Sequence, residues 1–252
     1  MKVLIGGAPS KFFHLKEFKN ALIKNGVDCK LVNDQEFSDG FPSRKIINWF
    51  QNKKKIKKLI KDFEPDIIFV DRLRHFTLNS VKTNIPVIIH LRGNYWKEMD
   101  MAKKTLYKSF PKNIIIEKWE SMGNKCFENT KIILPICNHL EKITKEKYPT
   151  KKIATLYSGI DSEKWFSVTG KKLKHPCVGL LQGATIWEKS NEMLILKKVL
   201  QTLPNITFYW VGDGPFRKTI LKNLEKYKNF IWLGQQNYPD RVREYLNEID
   251  IY

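Results

Sequence analysis

The rest of the chain can be ordered around the stretch ITFYWVGDGPFR at residues 206–217. Its first six residues are apolar, aromatic or β-branched, which predicts a buried strand. Gly212 and Gly214 predict a tight turn, and Pro215 is tolerated at the first position of a helix. Strand, glycine turn and helix start together direct backbone N–H groups toward an anion, which predicts half of a nucleotide-diphosphate site. A strand-to-helix turn that binds nothing explains this single motif equally well.

Short apolar runs recur along the chain, and most are followed by a helical pattern. The predicted strands cover residues 2–5, 27–32, 66–70, 86–90, 131–134, 152–157, 175–182, 206–211 and 229–233. The predicted helices cover residues 14–25, 44–63, 97–110, 114–129, 138–147, 189–203, 216–227 and 240–248. This alternation predicts an α/β fold with parallel sheets that helices cover on both faces.

A polar, lysine-rich segment interrupts this alternation, so we expect two lobes. The first lobe is predicted at residues 1–166, the linker at 167–174 and the second lobe at 175–252. Residues 250–252 look like the start of another strand, so we expect the second lobe to be incomplete at its C-terminal end.

The charge of the chain limits its classes of partner. Its 252 residues include 45 Lys and Arg against 26 Asp and Glu, a formal net charge of +19. This excess favours anionic partners, and the alternative is a solvated lysine-rich surface. The lysines of the helix predicted at 44–63 fit contact with anionic lipid, although the wet face of an ordinary helix is favoured. We expect no nucleic-acid partner, because no helix-turn-helix, zinc or RNA-binding signature occurs.

The cysteines and the apolar runs indicate the compartment. Cys29, Cys126, Cys137 and Cys177 lie far apart in sequence, which predicts reduced thiols in a cytoplasmic protein. No apolar run approaches the ~20 residues that a membrane span needs. We therefore expect any membrane contact to be peripheral, at the inner face.

Two further stretches place chemically useful side chains at predicted strand ends, where ligands bind in open α/β sheets. Asp71 follows one strand and either meets a substrate or caps the next helix, and the cap is favoured. His90 ends another strand and is followed at once by Arg92, Gly93 and Asn94, which makes it a better candidate for a site. A glycine pair at residues 6 and 7 would let backbone approach a ligand closely.

Taken in order, these residues resemble the retaining, GT-B-fold glycosyltransferases of the large family-4 group. The motifs that carry the resemblance are Gly6-Gly7, His90, residues 133–138, residues 157–161 with Phe166, residues 183–189, residues 211–215 and residues 232–234. The resemblance implies two Rossmann-like lobes, the first on the acceptor side and the second, truncated here, for the donor nucleotide.

The resemblance also implies an activity. Such enzymes transfer a sugar, here of hexosyl type, from a nucleotide diphosphate sugar to a glycan or lipid-linked acceptor with retention of configuration. The implied setting is cell-surface polysaccharide biosynthesis. No cofactor and no obligatory metal are expected, and no protein nucleophile is needed, because the leaving phosphate takes the proton of the acceptor.

The resemblance assigns roles to individual residues. It implies that His90 and Lys189 are catalytic, with Lys189 neutralising the departing diphosphate. The implied donor-binding residues are Gly6, Gly7, Gly183, Gly212, Asp213, Gly214, Gly234 and Gln235. The expected acceptor-side residues are Arg92, Asn94 and Asp71, and no metal-binding residue is expected.

Two departures from the family pattern leave an alternative open. The diphosphate-binding arginine of the family maps to Ala184, and Arg217 or Arg92 would have to compensate. The family's Glu-x7-Glu element would lie beyond Tyr252. The alternative function is therefore a catalytically impaired nucleotide-sugar-binding or scaffolding remnant.

Overall fold

The computed structural model describes residues 1–43, 46–50, 53–170 and 172–252. The chain divides into two compact units, Met1–Ile160 and Asp161–Tyr252. Among the described residues, the first unit holds a six-stranded sheet and the second a three-stranded sheet, both parallel throughout. The predicted α/β class with parallel sheets is confirmed.

The first unit has the strand order β2-β1-β3-β4-β5-β6. Its strands are β1 Lys2–Gly7, β2 Asp28–Asn33, β3 Ile67–Val70, β4 Val87–Leu91, β5 Ile132–Pro135 and β6 Lys152–Ile153. Its helices are α1 Phe12–Lys24, α2 Asp34–Phe37, α3 Lys54–Phe63, α4 His75–Ser80, α5 Tyr95–Lys104, α6 Lys112–Asn129 and α7 Asn138–Lys147. Short 3-10 helices cover Pro9–Lys11 and Ile46–Phe50.

The second unit has the strand order β7-β8-β9. Its strands are β7 Cys177–Leu181, β8 Thr207–Val211 and β9 Phe230–Gly234. Its helices are α8 Trp187–Glu192, α9 Leu196–Thr202, α10 Arg217–Leu224 and α11 Asp240–Glu248, and 3-10 turns cover Ser162–Lys164 and Met193–Ile195. Ile251 forms a parallel bridge with Val178 beside β7.

Both sheets are covered on two faces, as their apolar sequences require. In the first unit, one face of β1 presents Leu4 to α3 and α6, and the other presents Val3 and Ile5 to α1. In the second unit every residue of β8 is buried, and Trp210 is fully enclosed. The opening stretch of the sequence therefore forms the centre of the second core.

Several predicted boundaries were wrong for local reasons. The helix predicted at 44–63 consists of the 3-10 helix Ile46–Phe50 and α3, while residues 44, 45, 51 and 52 lie outside the described residues. The helix predicted at 189–203 is interrupted by the 3-10 turn at Met193–Ile195. Gly6 and Gly7 belong to β1, because they continue its pairing with Val32 and Asn33.

The boundary between the units falls before the predicted linker. Residues 161–166, assigned from sequence to the first lobe, belong to the second unit. Their contacts explain this, because the guanidinium of Arg243 lies 4.2 Å from the ring centre of Phe166, and Trp165 contacts Tyr238. Within the part of the chain that the structure describes, no helix combines the length and apolar character needed to cross a membrane.

Candidate functional site

In the second unit, three turns meet at the carboxyl edge of the sheet, because parallel strands all end there. The turns follow β7 at residues 182–185, β8 at residues 212–216 and β9 at residues 235–236. The Trp210 indole N–H donates to the Gln182 carbonyl at 2.8 Å, and the Trp232 indole N–H donates to the Gly212 carbonyl at 2.8 Å. The sheet thus gathers the predicted donor-binding glycines of this unit at one edge.

Gly212 and Gly214 are required by the close packing of two turns. Gly212 has a φ of +153°, and a Cβ there would lie 2.0 Å from the Gln182 carbonyl oxygen. Gly214 has a φ of +152°, and a Cβ there would lie 2.3 Å from the Ala184 carbonyl oxygen. Both positions therefore exclude side chains for a reason that needs no ligand.

The N–H groups of these glycines are used inside the fold. The Gly212 N–H donates to the Gly234 carbonyl at 3.0 Å, and the Gly214 N–H donates to the Asp213 carboxylate at 2.6 Å. The same carboxylate pairs with Arg217 at 3.0 Å. These contacts differ from the anion-facing arrangement that the sequence predicts. They also engage Arg217, one of the two arginines expected to compensate for the family arginine that maps to Ala184.

The start of the helix after β8 also differs from the prediction. Pro215 was expected at the first helical position, but α10 begins at Arg217 with Phe216 as its N-cap residue. The Phe216 N–H donates to the Ala184 carbonyl at 3.1 Å, which holds the chain in the turn for two residues longer. Pro215 therefore belongs to the turn.

Ala184 and Lys189 occupy opposite environments. The Ala184 side chain is fully buried in the apolar cluster that contains Trp210 and Ile220. An arginine at this position would have to enter the core, so the family's arginine has no equivalent site here. Lys189 is exposed on α8, and Gly183 and Gln235 are exposed in their turns, so solvent or a ligand can reach all three.

A cavity of about 510 Å³ opens beside the turn after β9. Its lining includes Leu233 and Gln236, which flank Gly234 and Gln235, together with Arg241 and Tyr245 of α11. This volume lies within the range of small-molecule sites. The cavity therefore lies next to Gly234 and Gln235, two of the predicted donor-binding residues, although neither is part of its lining.

In the first unit, a group of polar side chains meets at the carboxyl edges of β1, β3 and β4. Asp71 follows β3, His90 is the second-last residue of β4, Arg92 follows β4, and His14 reaches the same edge from α1. His14 Nε2 lies 3.9 Å from Asp71 Oδ2, and the Asp71 side chain is 1% exposed. We call these four residues the edge cluster.

The edge cluster holds most of the buried polar atoms that lack a partner among the described residues. Six buried side-chain nitrogen or oxygen atoms of the described residues lack a hydrogen-bond partner. Four of them are His14 Nδ1, His14 Nε2, Asp71 Oδ1 and Arg92 Nη1. Because native proteins rarely leave buried polar atoms unpaired, this concentration marks a place prepared for a ligand or for water.

Electrostatics fix the state of His90 in this cluster. Burial lowers the pKa of His90; Arg92 and His14 act in the same direction, while the Leu156 carbonyl and Asp71 oppose it. The ring is therefore neutral at neutral pH. Its Nε2 lies 3.2 Å from the Leu156 carbonyl, which can only accept, so Nε2 carries the proton and Nδ1 is left as an acceptor.

Arg92 remains cationic despite its surroundings. Burial lowers its pKa, and the nearby Asp71 carboxylate raises it. Farther along the same edge, Asp34 pairs with Arg72 at 3.1 Å, and burial raises the pKa of Asp34. Burial also lowers the pKa of Arg74 to about 10, and its guanidinium stacks on Trp119. The edge therefore presents charges of both signs.

Three predicted residues of the first unit have structural roles. Asn94 caps α5 by accepting from the Lys97 N–H at 3.1 Å. A Cβ on Gly6 would lie 2.5 Å from the Phe76 ring, and one on Gly7 would lie 2.2 Å from Leu15, so packing explains both glycines. Asp71 does not cap α4, whose N-cap residue is Arg74, so the favoured capping interpretation was wrong.

Sequence reasoning missed His14. It lies on α1, seven residues after the glycine pair that ends β1 (14 − 7), and the sequence predicts it as the first residue of the helix at 14–25. A signal was present, because His14 is a polar residue close to a predicted strand end. Nothing local showed that this side chain would turn toward Asp71, which is 57 residues later in the sequence (71 − 14).

No protein-family model and no curated protein matches the sequence. Solved structures do match the fold. Anabaena Alr3699/HepE, solved with UDP and glucose, superposes with a TM-score of 0.60 at 13% identity over 99% of this chain and 73% of its own. The lipopolysaccharide outer core galactosyltransferase WaaB superposes with a TM-score of 0.52 at 15% identity over 99% and 72%.

A third neighbour is UDP-GlcNAc 2-epimerase from Neisseria meningitidis, solved with UDP-GlcNAc, with a TM-score of 0.52 at 14% identity over 94% of this chain and 73% of its own. These neighbours share the GT-B fold, and the chain has this fold as predicted. The likeness concerns the fold, because all three identities are low.

Proposed function

We propose that this protein is a glycosyltransferase that moves a hexosyl group from a nucleotide diphosphate sugar to a hydroxyl of a glycan or lipid-linked acceptor. The observation that carries the proposal is the edge cluster, four polar side chains at one sheet edge, of which His14, Asp71 and Arg92 hold buried atoms without a hydrogen-bond partner. Hydrogen-bond donors and acceptors that lie side by side at one edge suit a hydroxyl-rich ligand. Structures with the same fold were solved with UDP or a UDP-sugar, which supports a uridine nucleotide as the first donor to test.

In the proposed reaction, the second unit binds the nucleotide. The cavity beside Gly234 and Gln235 takes the base, and the exposed Lys189 lies against the diphosphate. A cation next to the departing diphosphate stabilises the charge that develops there. No protein nucleophile and no metal ion take part in this proposal.

The first unit contributes polar side chains that hold hydroxyl groups. The neutral His90 accepts a hydrogen bond at Nδ1 from a sugar hydroxyl, while Asp71 accepts and Arg92 donates to hydroxyls beside it. The acceptor oxygen bonds to the anomeric carbon on the same face from which the diphosphate departs, as the bond to the diphosphate breaks, and a phosphate oxygen takes the acceptor proton. This route gives the retention of configuration that the family resemblance implies.

We propose further that the acceptor is met at an anionic membrane surface. Helix α3 buries Ile56 and Leu59 and exposes Lys55, Lys57 and Lys58. Exposed lysines on one helix face suit anionic lipid headgroups at the inner face of a membrane. Sedimentation with anionic and neutral vesicles at low and high salt tests this clause, and equal recovery with both vesicle types would contradict it.

The activity is tested by incubating the protein with UDP-, GDP-, ADP- and dTDP-linked hexoses. We expect one donor to release its nucleotide by hydrolysis or transfer, with the anomeric configuration of the donor kept in the product when followed by NMR. Nucleotide release should fall in His90→Gln and persist in the control His139→Gln, because His139 is an exposed histidine of α7. A protein that binds a donor without turning it over would instead indicate the scaffolding alternative, and an inverted product would contradict retention.

A further inference from the structure

A second group of ligand-type side chains lies at the opposite edge of the second sheet. His175 and Cys177 stand at the amino end of β7, and Asp250 follows α11. Among the residues that the structure describes, these three form the one group in which His, Cys and carboxylate ligand atoms all lie within 4.8 Å of one another. The glycosyl transfer proposed above makes no use of them.

The distances between these atoms fit a shared ion. His175 Nδ1 lies 2.9 Å from Asp250 Oδ2 and 3.7 Å from Cys177 Sγ. In a tetrahedral zinc site with metal–ligand bonds of about 2.0–2.3 Å, neighbouring ligand atoms lie roughly 3.3–3.8 Å apart. Small side-chain movements would therefore place all three atoms on one ion.

The surroundings supply an orienting contact for the histidine. His175 Nε2 lies 3.1 Å from Glu248 Oε1. A carboxylate on the second ring nitrogen fixes the tautomer of a metal-bound histidine, and this arrangement is common around zinc. The Cys177 N–H donates to Asp250 Oδ2 at 2.7 Å, which holds that carboxylate beside the thiol.

Access and ligand type also favour a metal. The Cys177 side chain is buried, whereas His175 and Asp250 are 43% and 46% exposed, so an ion and a water can enter from the solvent side. A protonated histidine between two carboxylates would account for the ion pairs alone. It would not account for the Cys177 thiol, which faces the same His175 Nδ1 atom. A histidine nitrogen, a cysteine sulfur and a carboxylate oxygen together form a ligand set that Zn²⁺ accepts.

We propose that His175 Nδ1, Cys177 Sγ and Asp250 Oδ2 bind a zinc-type divalent cation, with Glu248 orienting His175 and water as the fourth ligand. Binding displaces the Cys177 thiol proton to solvent and leaves His175 neutral. The ion ties the residues before β7 to those after α11, so its role is to stabilise the second unit.

The test is titration of the whole reduced, metal-free protein with Co²⁺, a spectroscopic substitute for Zn²⁺. We expect a thiolate-to-cobalt charge-transfer band and the strong visible bands of tetrahedral cobalt at one equivalent, both displaced by Zn²⁺. Cys177→Ser should abolish the charge-transfer band, and Cys137→Ser should leave it unchanged, because Cys137 is a half-buried thiol outside the group.

Because Cys177 is buried, its substitution could disturb folding, so variants at the more exposed residues provide a second test. His175→Gln should weaken Zn²⁺ binding by more than tenfold, and Glu248→Gln should weaken it about 10–100-fold. His139→Gln should have no effect. Saturating Zn²⁺ should raise the Tm of the wild type by more than about 5 °C and should not do so in His175→Gln.

Three results would overturn the proposal. They are the absence of a charge-transfer band in the wild type, a band that survives in Cys177→Ser, and equal Zn²⁺ affinity in His175→Gln and the wild type. All readouts are independent of donor turnover, so a failed activity assay would not affect them.

Discussion

Replacing Gly212 with alanine would place a methyl group inside the contact between two turns of the second unit. The new Cβ would lie 2.0 Å from the Gln182 carbonyl oxygen and 2.9 Å from Trp210 Nε1. A carbon cannot approach a backbone oxygen this closely, so the two turns must separate. The substitution therefore tests whether close backbone packing, and not a ligand, fixes this glycine.

The expected loss has two parts. A φ of +153° costs an alanine about 1–3 kcal/mol. Separation of the turns also breaks the Trp210 indole bond to Gln182 and the bond from the Gln182 N–H to the Val211 carbonyl, each worth about 1 kcal/mol. We expect Gly212→Ala to lower the free energy of unfolding by about 3–5 kcal/mol, a large share of the total for a domain.

Substitutions at two neighbouring glycines distinguish the loss from backbone strain from the loss caused by separating the turns. Gly234 has a φ of +75°, but its nearest contact would be 3.9 Å away, so Gly234→Ala should lose about 1–2 kcal/mol from backbone strain alone. Gly183 has neither a positive φ nor a close contact, so Gly183→Ala should change stability by less than about 1 kcal/mol.

The assay is urea unfolding of the four proteins, followed by tryptophan fluorescence and circular dichroism. The three variants should rank in the order Gly183, Gly234, Gly212 by increasing loss. If Gly212→Ala loses no more than Gly234→Ala, the two turns are not in the contact described, and the reasoning about this edge is refuted.

Three further predictions concern single residues. Ala184→Arg should lose more than about 3 kcal/mol of stability in urea unfolding, because it buries a guanidinium in an apolar cluster, and a variant as stable as the wild type would contradict that burial. Burial lowers the pKa of His90, so the unfolded chain binds this proton more tightly than the folded chain, and stability should fall as the pH drops below about 6.5. The Tm of His90→Gln should depend less on pH. Equal slopes of Tm against pH in the variant and the wild type would count against a buried neutral ring. Asp71→Asn should slow transfer about 10–100-fold and leave the Tm unchanged. The control Asp62→Asn, on the exposed end of α3, should leave both the transfer rate and the Tm unchanged. Full activity in Asp71→Asn would show that this carboxylate is not part of the site.

Much of the fold could be predicted because apolar runs and helical periods are local signals. The run 206–211 forms β8 but for its first residue, and the strand ends at His90 and Asp71 meet at one edge because parallel strands require it. The 3-10 break at Met193–Ile195 was not predictable in this way, since its residues continue the apolar pattern of a helix.

The site was predicted less completely because the roles of most of its residues depend on contacts with residues distant in sequence. Asn94 looked like a ligand-binding residue and is a helix cap, whereas Asp71 looked like a cap and is a buried carboxylate beside His14. The Gly212 turn looked like a phosphate cradle, but its N–H is taken by Gly234. For Asp71 and Gly212 the partner lies outside the local window that sequence reasoning uses, whereas Asn94 pairs with the Lys97 N–H three residues away (97 − 94), which is a local signal.

The central claim is that the protein binds a nucleoside diphosphate and transfers the sugar attached to it. Thermal unfolding of the purified protein with UDP, GDP, ADP and dTDP tests the binding step most directly. A ligand at ~100 times its Kd should stabilise the folded protein by about 2.7 kcal/mol, so we expect a clear rise in Tm with one nucleotide, UDP first, and a smaller rise in Lys189→Gln. A protein that melts cooperatively at the same temperature with all four nucleotides would contradict the claim.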